Sequence, residues 1–91
     1  MRVTYHLNMG NLTETAEEAH WAESVGYDGV FTNEREHDSF FPLLLAATST
    51  SNVSLQTRVA IAFPRSPMVV AYSSWDLQQF SGGRFRLGLG T

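Results

Sequence analysis

Glu34, Arg35, His37 and Asp38 fall within five positions of one another, directly after the β-forming run Gly29-Val30-Phe31-Thr32. A carboxylate and an imidazole this close can hold and pass a proton, and a His side chain changes charge near neutral pH. Glu34 closes what reads as the second strand, and in parallel α/β folds the ends of strands are where catalytic groups gather. The competing reading is structural: His37 as an exposed loop residue and Asp38 as a helix cap. His6, on the first strand, reads as a buried histidine with its hydrogen bonds satisfied. The three His are far apart and share no ligand spacing with the acids, so no metal site is expected. Ser73, Ser74 and Ser81 lack a nucleophile-elbow context. Gly88-x-Gly90-Thr91 resembles part of a dinucleotide fingerprint, but it lacks the third Gly, the later acid and the strand-to-helix setting.

These residues must be carried by secondary structure, and the chain alternates clearly. Val3-Thr4-Tyr5-His6-Leu7 is a strand, broken by Asn8, Gly10 and Asn11. Thr13 to Val25 is a helix, with Thr15 and Glu18 at capping-box spacing and Thr13 an equal candidate for the cap. Ala16, Ala19, Ala22 and Val25 form a narrow small-residue face, and Gly26 stops the helix. After the Gly29–Thr32 strand, Asp38 or Ser39 caps a helix carrying Phe40, Phe41, Leu43, Leu44 and Leu45. A third strand lies within Val53–Phe63, best placed on Val59-Ala60-Ile61-Ala62-Phe63. Ser66-Pro67 starts a helix to about Phe80, with Pro at the first helical position, and Gly82-Gly83 ends it. Arg84 to Leu89 is a fourth strand. Trp21 and Trp75 read as packing residues on helices.

The order β-α-β-α-β-α-β implies parallel strands joined by crossover helices. The unit recurs about every 25 residues, as in barrel or doubly wound folds; four strands in order 1-2-3-4, with three helices on one face, would supply about half of a (β/α)₈ barrel, whose full form needs roughly 250 residues. The 91 residues read as a single half-barrel domain, residues 1–91, with two strand edges open to association.

Composition agrees. Apolar residues make up 43% of the chain, enough for a core, and charged residues only 16%, which excludes a disordered charged tail. Net charge is −3, which argues against a nucleic-acid or anionic-membrane partner. Cys is absent, which excludes disulfide scaffolds, Cys-ligated zinc and thiol chemistry. No signal peptide and no long apolar run is visible, so a soluble, cytoplasmic protein is expected. Eight of the nine acids lie between Glu14 and Asp38, and four of the six Arg lie after residue 57. The simplest reading of both groups is a solvated face.

Three segments resemble one family. Ala22-Glu23-x-x-Gly26-Tyr27-Asp28-Gly29-Val30 resembles the first helix and second strand of the bacterial luciferase-like monooxygenases. Leu55-x-Thr57-x-Val59, running into Pro64-Arg65-Ser66-Pro67, is similar to their third strand. Leu77-Gln78-Gln79-Phe80-Ser81-Gly82-Gly83-Arg84-Phe85-x-Leu87-Gly88-Leu89-Gly90-Thr91 is the most specific match. The pattern looks closest to the branch that uses the deazaflavin coenzyme F-420, with FMN the alternative cofactor.

The resemblance implies a (β/α)₈ barrel oxidoreductase, of which these residues are the N-terminal half, in which hydride passes between the cofactor and a small organic substrate. It implies that Glu34 helps hold the deazaflavin. The next position, often His in the family, is Arg35 here, with His37 two residues further on as the proton-handling candidate. It also implies a non-prolyl cis peptide at Arg58–Val59, supporting one face of the ring, and a hydroxyl contact from Thr91. Small residues Gly88 and Gly90 would let the ring approach the backbone, while Arg84 and Arg86 read as structural or solvated. Half of such a site is absent from these residues. The chain is therefore expected to be catalytically incomplete, acting as a homo-oligomer or paired with a missing C-terminal half. The alternative is a non-catalytic half-barrel that only associates.

Overall fold

Alternation along the strands sorts their side chains between two faces. The structure, a computed structural model, describes residues 2–35, 37–61 and 66–90. In it β1 (Thr4–His6), β2 (Gly29–Thr32) and β3 (Ser54–Thr57) run parallel, with Tyr5 beside Val30 and Val30 beside Leu55. β5 (Phe85–Arg86) joins β3 with Phe85 beside Leu55, giving the sheet order β1-β2-β3-β5. Val30, Leu55 and Phe85 lie in one buried cluster with Ala19, Ala22, Leu43, Ala46, Ala47 and Leu77, which come from all three helices. One sheet face is therefore the helix-packed core. On the other, His6, Arg58 and Arg86 are exposed and Phe31 and Gln56 half-buried. This is the expected parallel half-barrel arrangement.

The third strand differs from its expected place. The register is set by Ser54–Thr57, and the Val59–Phe63 run contributes only a second short strand, β4 (Ala60–Ile61), within the described residues. Ala62 and Phe63 lie outside them. The reason is burial: Val53, Leu55 and Thr57 alternate onto the helix side beside Val30 and Thr32. That pattern pins register more firmly than a continuous apolar run does. Between β3 and β4 the Arg58–Val59 peptide is cis, at the bond the family resemblance indicates. The fourth strand is also divided, into β5 and β6 (Leu89–Gly90), and β6 pairs with β4.

The first helix, α1 (Thr15–Ser24), follows one turn of 3₁₀ helix capped by Asn11, whose Oδ1 accepts the Thr13 N–H at 3.0 Å. The expected Thr15/Glu18 capping box does not form. The Glu18 carboxylate instead accepts the Asn8 N–H at 2.8 Å and the Tyr5 hydroxyl at 3.0 Å, fastening α1 to the loop after β1. Ala19 and Ala22 are buried as the small-residue face requires, but Val25 is exposed. In α2 (Phe40–Ser49) Ser39 occupies the cap position, while Asp38 makes the capping bonds, to Phe40 N–H at 2.7 Å and Phe41 N–H at 2.6 Å. In α3 (Pro67–Phe80) the Ser66 hydroxyl accepts the Val69 N–H at 3.0 Å, as its position before Pro67 predicts. Gly82 and Gly83 end α3 with φ of 69° and 89°, values that disfavour other residues.

The charged groups are not simply solvated. Glu23 accepts the backbone N–H groups of Ser51, Asn52 and Val53, and Arg84 donates to the Thr50, Val53 and Ser81 carbonyls. Together they clamp the α2–β3 turn. Trp21 packs edge-on to Tyr5 at 5.4 Å, but Trp75 is 70% exposed and does not serve as a core residue. No helix among the described residues is long and apolar enough to cross a membrane.

Candidate functional site

The C-terminal ends of β1 and β2 open into a recess of about 460 Å³ lined by His6, Met9, Asn33, Arg35 and His37. A cavity of this size suits a small molecule. His6 is not the buried histidine expected from its strand. It is exposed, because position 6 alternates onto the open face, and its ring stacks on Phe31 with centroids 4.9 Å apart. The Arg58 guanidinium also lies over Phe31, 4.4 Å from the ring centroid, and contacts Thr4 Oγ1. Phe31 is thus the shared support for a His and an Arg on the concave face. Sequence reasoning passed over it, although its alternation between Val30 and Thr32 carries the signal.

Glu34 leaves β2 at the same end but turns away from the recess lining. Its Oε1 accepts the Ile61 N–H at 2.7 Å, and its Oε2 accepts the Ser39 N–H and hydroxyl, both at 3.3 Å. The carboxylate therefore joins the β2 end, the α2 start and β4. His37 lines the recess with His6 and is exposed. Glu34 and His37 are close in sequence, yet the fold gives them different neighbours.

Arg58 and Val59 form the bend between β3 and β4. The Arg58 N–H donates to the Thr32 carbonyl, and the Val59 side chain is 43% exposed. Gly88 and Gly90 come close to this bend. A Cβ on Gly88 would strike the Thr57 carbonyl oxygen, and one on Gly90 would lie 2.6 Å from Val59 Cγ2. Thr57 Oγ1 accepts the Gly88 N–H at 2.8 Å and donates to its carbonyl at 2.9 Å. The two glycines thus serve strand-to-strand approach. Thr91 lies outside the described residues. Among those described, no group of His and acids could hold a metal ion.

The family model for luciferase-like monooxygenases matches residues 2–91. The chain belongs to that family. It is 52% identical over 80 residues to an uncharacterized protein of Mycobacterium tuberculosis, matching 88% of this chain and 24% of that protein. It therefore spans about a quarter of the length of that curated relative. Among solved structures it superposes on the coenzyme F-420-dependent tetrahydromethanopterin reductase of Methanopyrus kandleri with a TM-score of 0.83 and 25% identity, covering 99% of this chain and 27% of the other. It superposes similarly on the oxygenating component of a Baeyer-Villiger monooxygenase of Pseudomonas putida in complex with FMN (TM-score 0.84, 21% identity, 99% and 29% covered). The fold of this luciferase-like chain is accordingly the N-terminal half of a (β/α)₈ barrel, and its recess lies at the barrel end that carries active sites.

Proposed function

We propose that this chain supplies the first half of the active site of an oxidoreductase that moves a hydride between a deazaflavin and a small organic substrate. The observation that carries the reading is the recess lined by His6 and His37 at the C-terminal ends of β1 and β2 of a luciferase-like chain, with Phe31 stacked against His6 and Val59 exposed just beyond the end of β3. The likeness to a coenzyme F-420-dependent reductase favours the deazaflavin.

The residues present fit a planar cofactor ring. Val59 offers an exposed apolar side chain beside backbone that Gly88 and Gly90 hold in register. Bound there, coenzyme F-420 would supply the hydride acceptor or donor. Val59 and its flanking peptide would support one ring face. Glu34 would act through the backbone, holding Ile61 and hence the β3–β4 bend. His37, exposed at the recess, would hold or release the proton that accompanies hydride transfer. Thr91 is assigned a hydroxyl contact by the family pattern alone.

Arg58 rests on Phe31, and this places a positive charge on the concave face facing any anionic cofactor. The open edges β1 and β5 support assembly with a second copy or with a C-terminal half of the barrel. These residues enclose only one side of a site, so water is not excluded and turnover by them alone should be very low.

Titration of oxidised coenzyme F-420 and of FMN into the 91-residue chain, followed by fluorescence, tests the reading. The expected result is saturable F-420 binding with a Kd between about 10 μM and 1 mM, weaker FMN binding, and loss of the signal in Glu34→Ala. Tighter binding of FMN would favour the monooxygenase reading, as the FMN-holding neighbour does. Absence of binding by both cofactors would leave association alone as the function of these residues.

A further inference from the structure

Arg35 is unlike Arg2, Arg58 and Arg84, which the fold engages. Arg2 donates to Ser54 Oγ, Arg58 lies over Phe31, and Arg84 is spent on the α2–β3 turn. Among the described residues the Arg35 guanidinium has neither a hydrogen-bond nor an ion-pair partner, and it lines the recess at the ends of β1 and β2. His37 likewise has no hydrogen-bond partner there, and His6 has only its stack on Phe31.

Two neighbouring carboxylates have partners outside the recess lining. Glu34 is bonded to Ile61 and Ser39, and Asp38 caps α2. No acid stands among the described lining residues, and Asn33 adds an amide able to donate. Beside the Met9 side chain, the polar lining among the described residues is thus one guanidinium, two imidazoles and one amide, all capable of donating to the same small volume.

A planar guanidinium presents paired N–H groups whose spacing matches two oxygens of one oxyanion. We propose that the recess is a subsite for an oxyanion group, carboxylate or phosphate, on the substrate, with Arg35 as its principal ligand and His6, His37 and Asn33 as supporting donors. The assignment of that oxyanion to the substrate rests on the oxidoreductase reading, whereas anion binding itself does not. The substrate class that follows is a small organic acid or phosphate ester. Its charged end would sit between β1 and β2, leaving its reacting carbon to extend toward the β3–β4 bend.

The test is a nuclear magnetic resonance titration of the 91-residue chain with inorganic phosphate and, separately, with acetate, chloride holding ionic strength constant. The Arg35 Nε–H and the ring signals of His6 and His37 should shift together and saturate, with a Kd of about 1 to 10 mM. Arg35→Ala should weaken binding at least tenfold, Arg35→Lys should recover part of it, and Arg86→Ala, remote from the recess lining, should stay within twofold. Stronger binding of phosphate would identify a phosphate ester, and stronger binding of acetate a carboxylate. Unsaturable shifts with both anions, or an Arg35→Ala variant that binds as well as the parent, would overturn the subsite. Cofactor titration reads a different ligand, so failure of either proposal is seen separately.

Discussion

Glu34 Oε1 accepts the backbone N–H of Ile61 at 2.7 Å, across 27 residues of chain. One carboxylate thereby holds β4 against the end of β2, while its second oxygen meets Ser39 at the start of α2. A backbone donor facing an ionised acceptor is among the stronger hydrogen bonds a protein makes. The bend that carries Arg58 and Val59 depends on it.

Glu34→Ala should lower stability by about 1.5–3 kcal/mol, the range for a hydrogen bond to a charged group. Glu34→Gln keeps an acceptor for Ile61 and should lose distinctly less. Urea denaturation at neutral pH measures both, with an unchanged m-value expected. An alanine variant as stable as the parent would show that the contact holds nothing.

Glu23 gives the chain an acid-sensitive clamp. Burial pushes its carboxyl up, but the backbone N–H groups of Asn52, Ser51 and Val53, with the Arg84 guanidinium, outweigh this and leave it below its ordinary value of 4.5. A carboxyl lowered by folding contributes stability that is complete above the unfolded-state value and is lost as pH falls through the folded one. The parent should therefore lose stability below about pH 4.5, and Glu23→Gln should flatten that limb while being less stable at pH 7. An identical acid limb in parent and variant would remove Glu23 from the account.

Gly88 should be the less replaceable of the two strand-end glycines. Its added Cβ meets backbone, the Thr57 carbonyl, which cannot move without parting β3 from the fourth strand. Gly88→Ala should cost about 1–3 kcal/mol, the range for overpacking. Gly90→Ala should cost less, because it meets the end of the half-exposed Val59 side chain. Gly10→Ala, whose nearest neighbour is Asn8 Oδ1 at 3.4 Å, should stay within about 0.5 kcal/mol. Thermal melts of the three variants give the ranking, and a Gly88→Ala melt equal to that of Gly10→Ala would contradict it.

Local signals decided the element order and most element ends. Ser66 before Pro67, and Gly82-Gly83 after Phe80, act through backbone geometry and a near N–H, so their effect is readable within a few residues. Alternating strands and helices were enough to specify a parallel α/β sheet, and the family resemblance to select the half-barrel over a doubly wound order. The motif ending in Gly88-x-Gly90 was enough to indicate the family. Three outcomes required the tertiary structure. Ser54–Thr57 rather than Val59–Phe63 sets the register, because pairing with β2 buries Leu55 beside Val30. Glu18 and Glu23 bind loop backbone instead of capping or facing solvent, because folding brings N–H groups from distant segments to them. His6 opens onto the recess while Glu34 turns to Ile61, because strand alternation and sheet curvature, not spacing in the chain, choose which side chains share a volume.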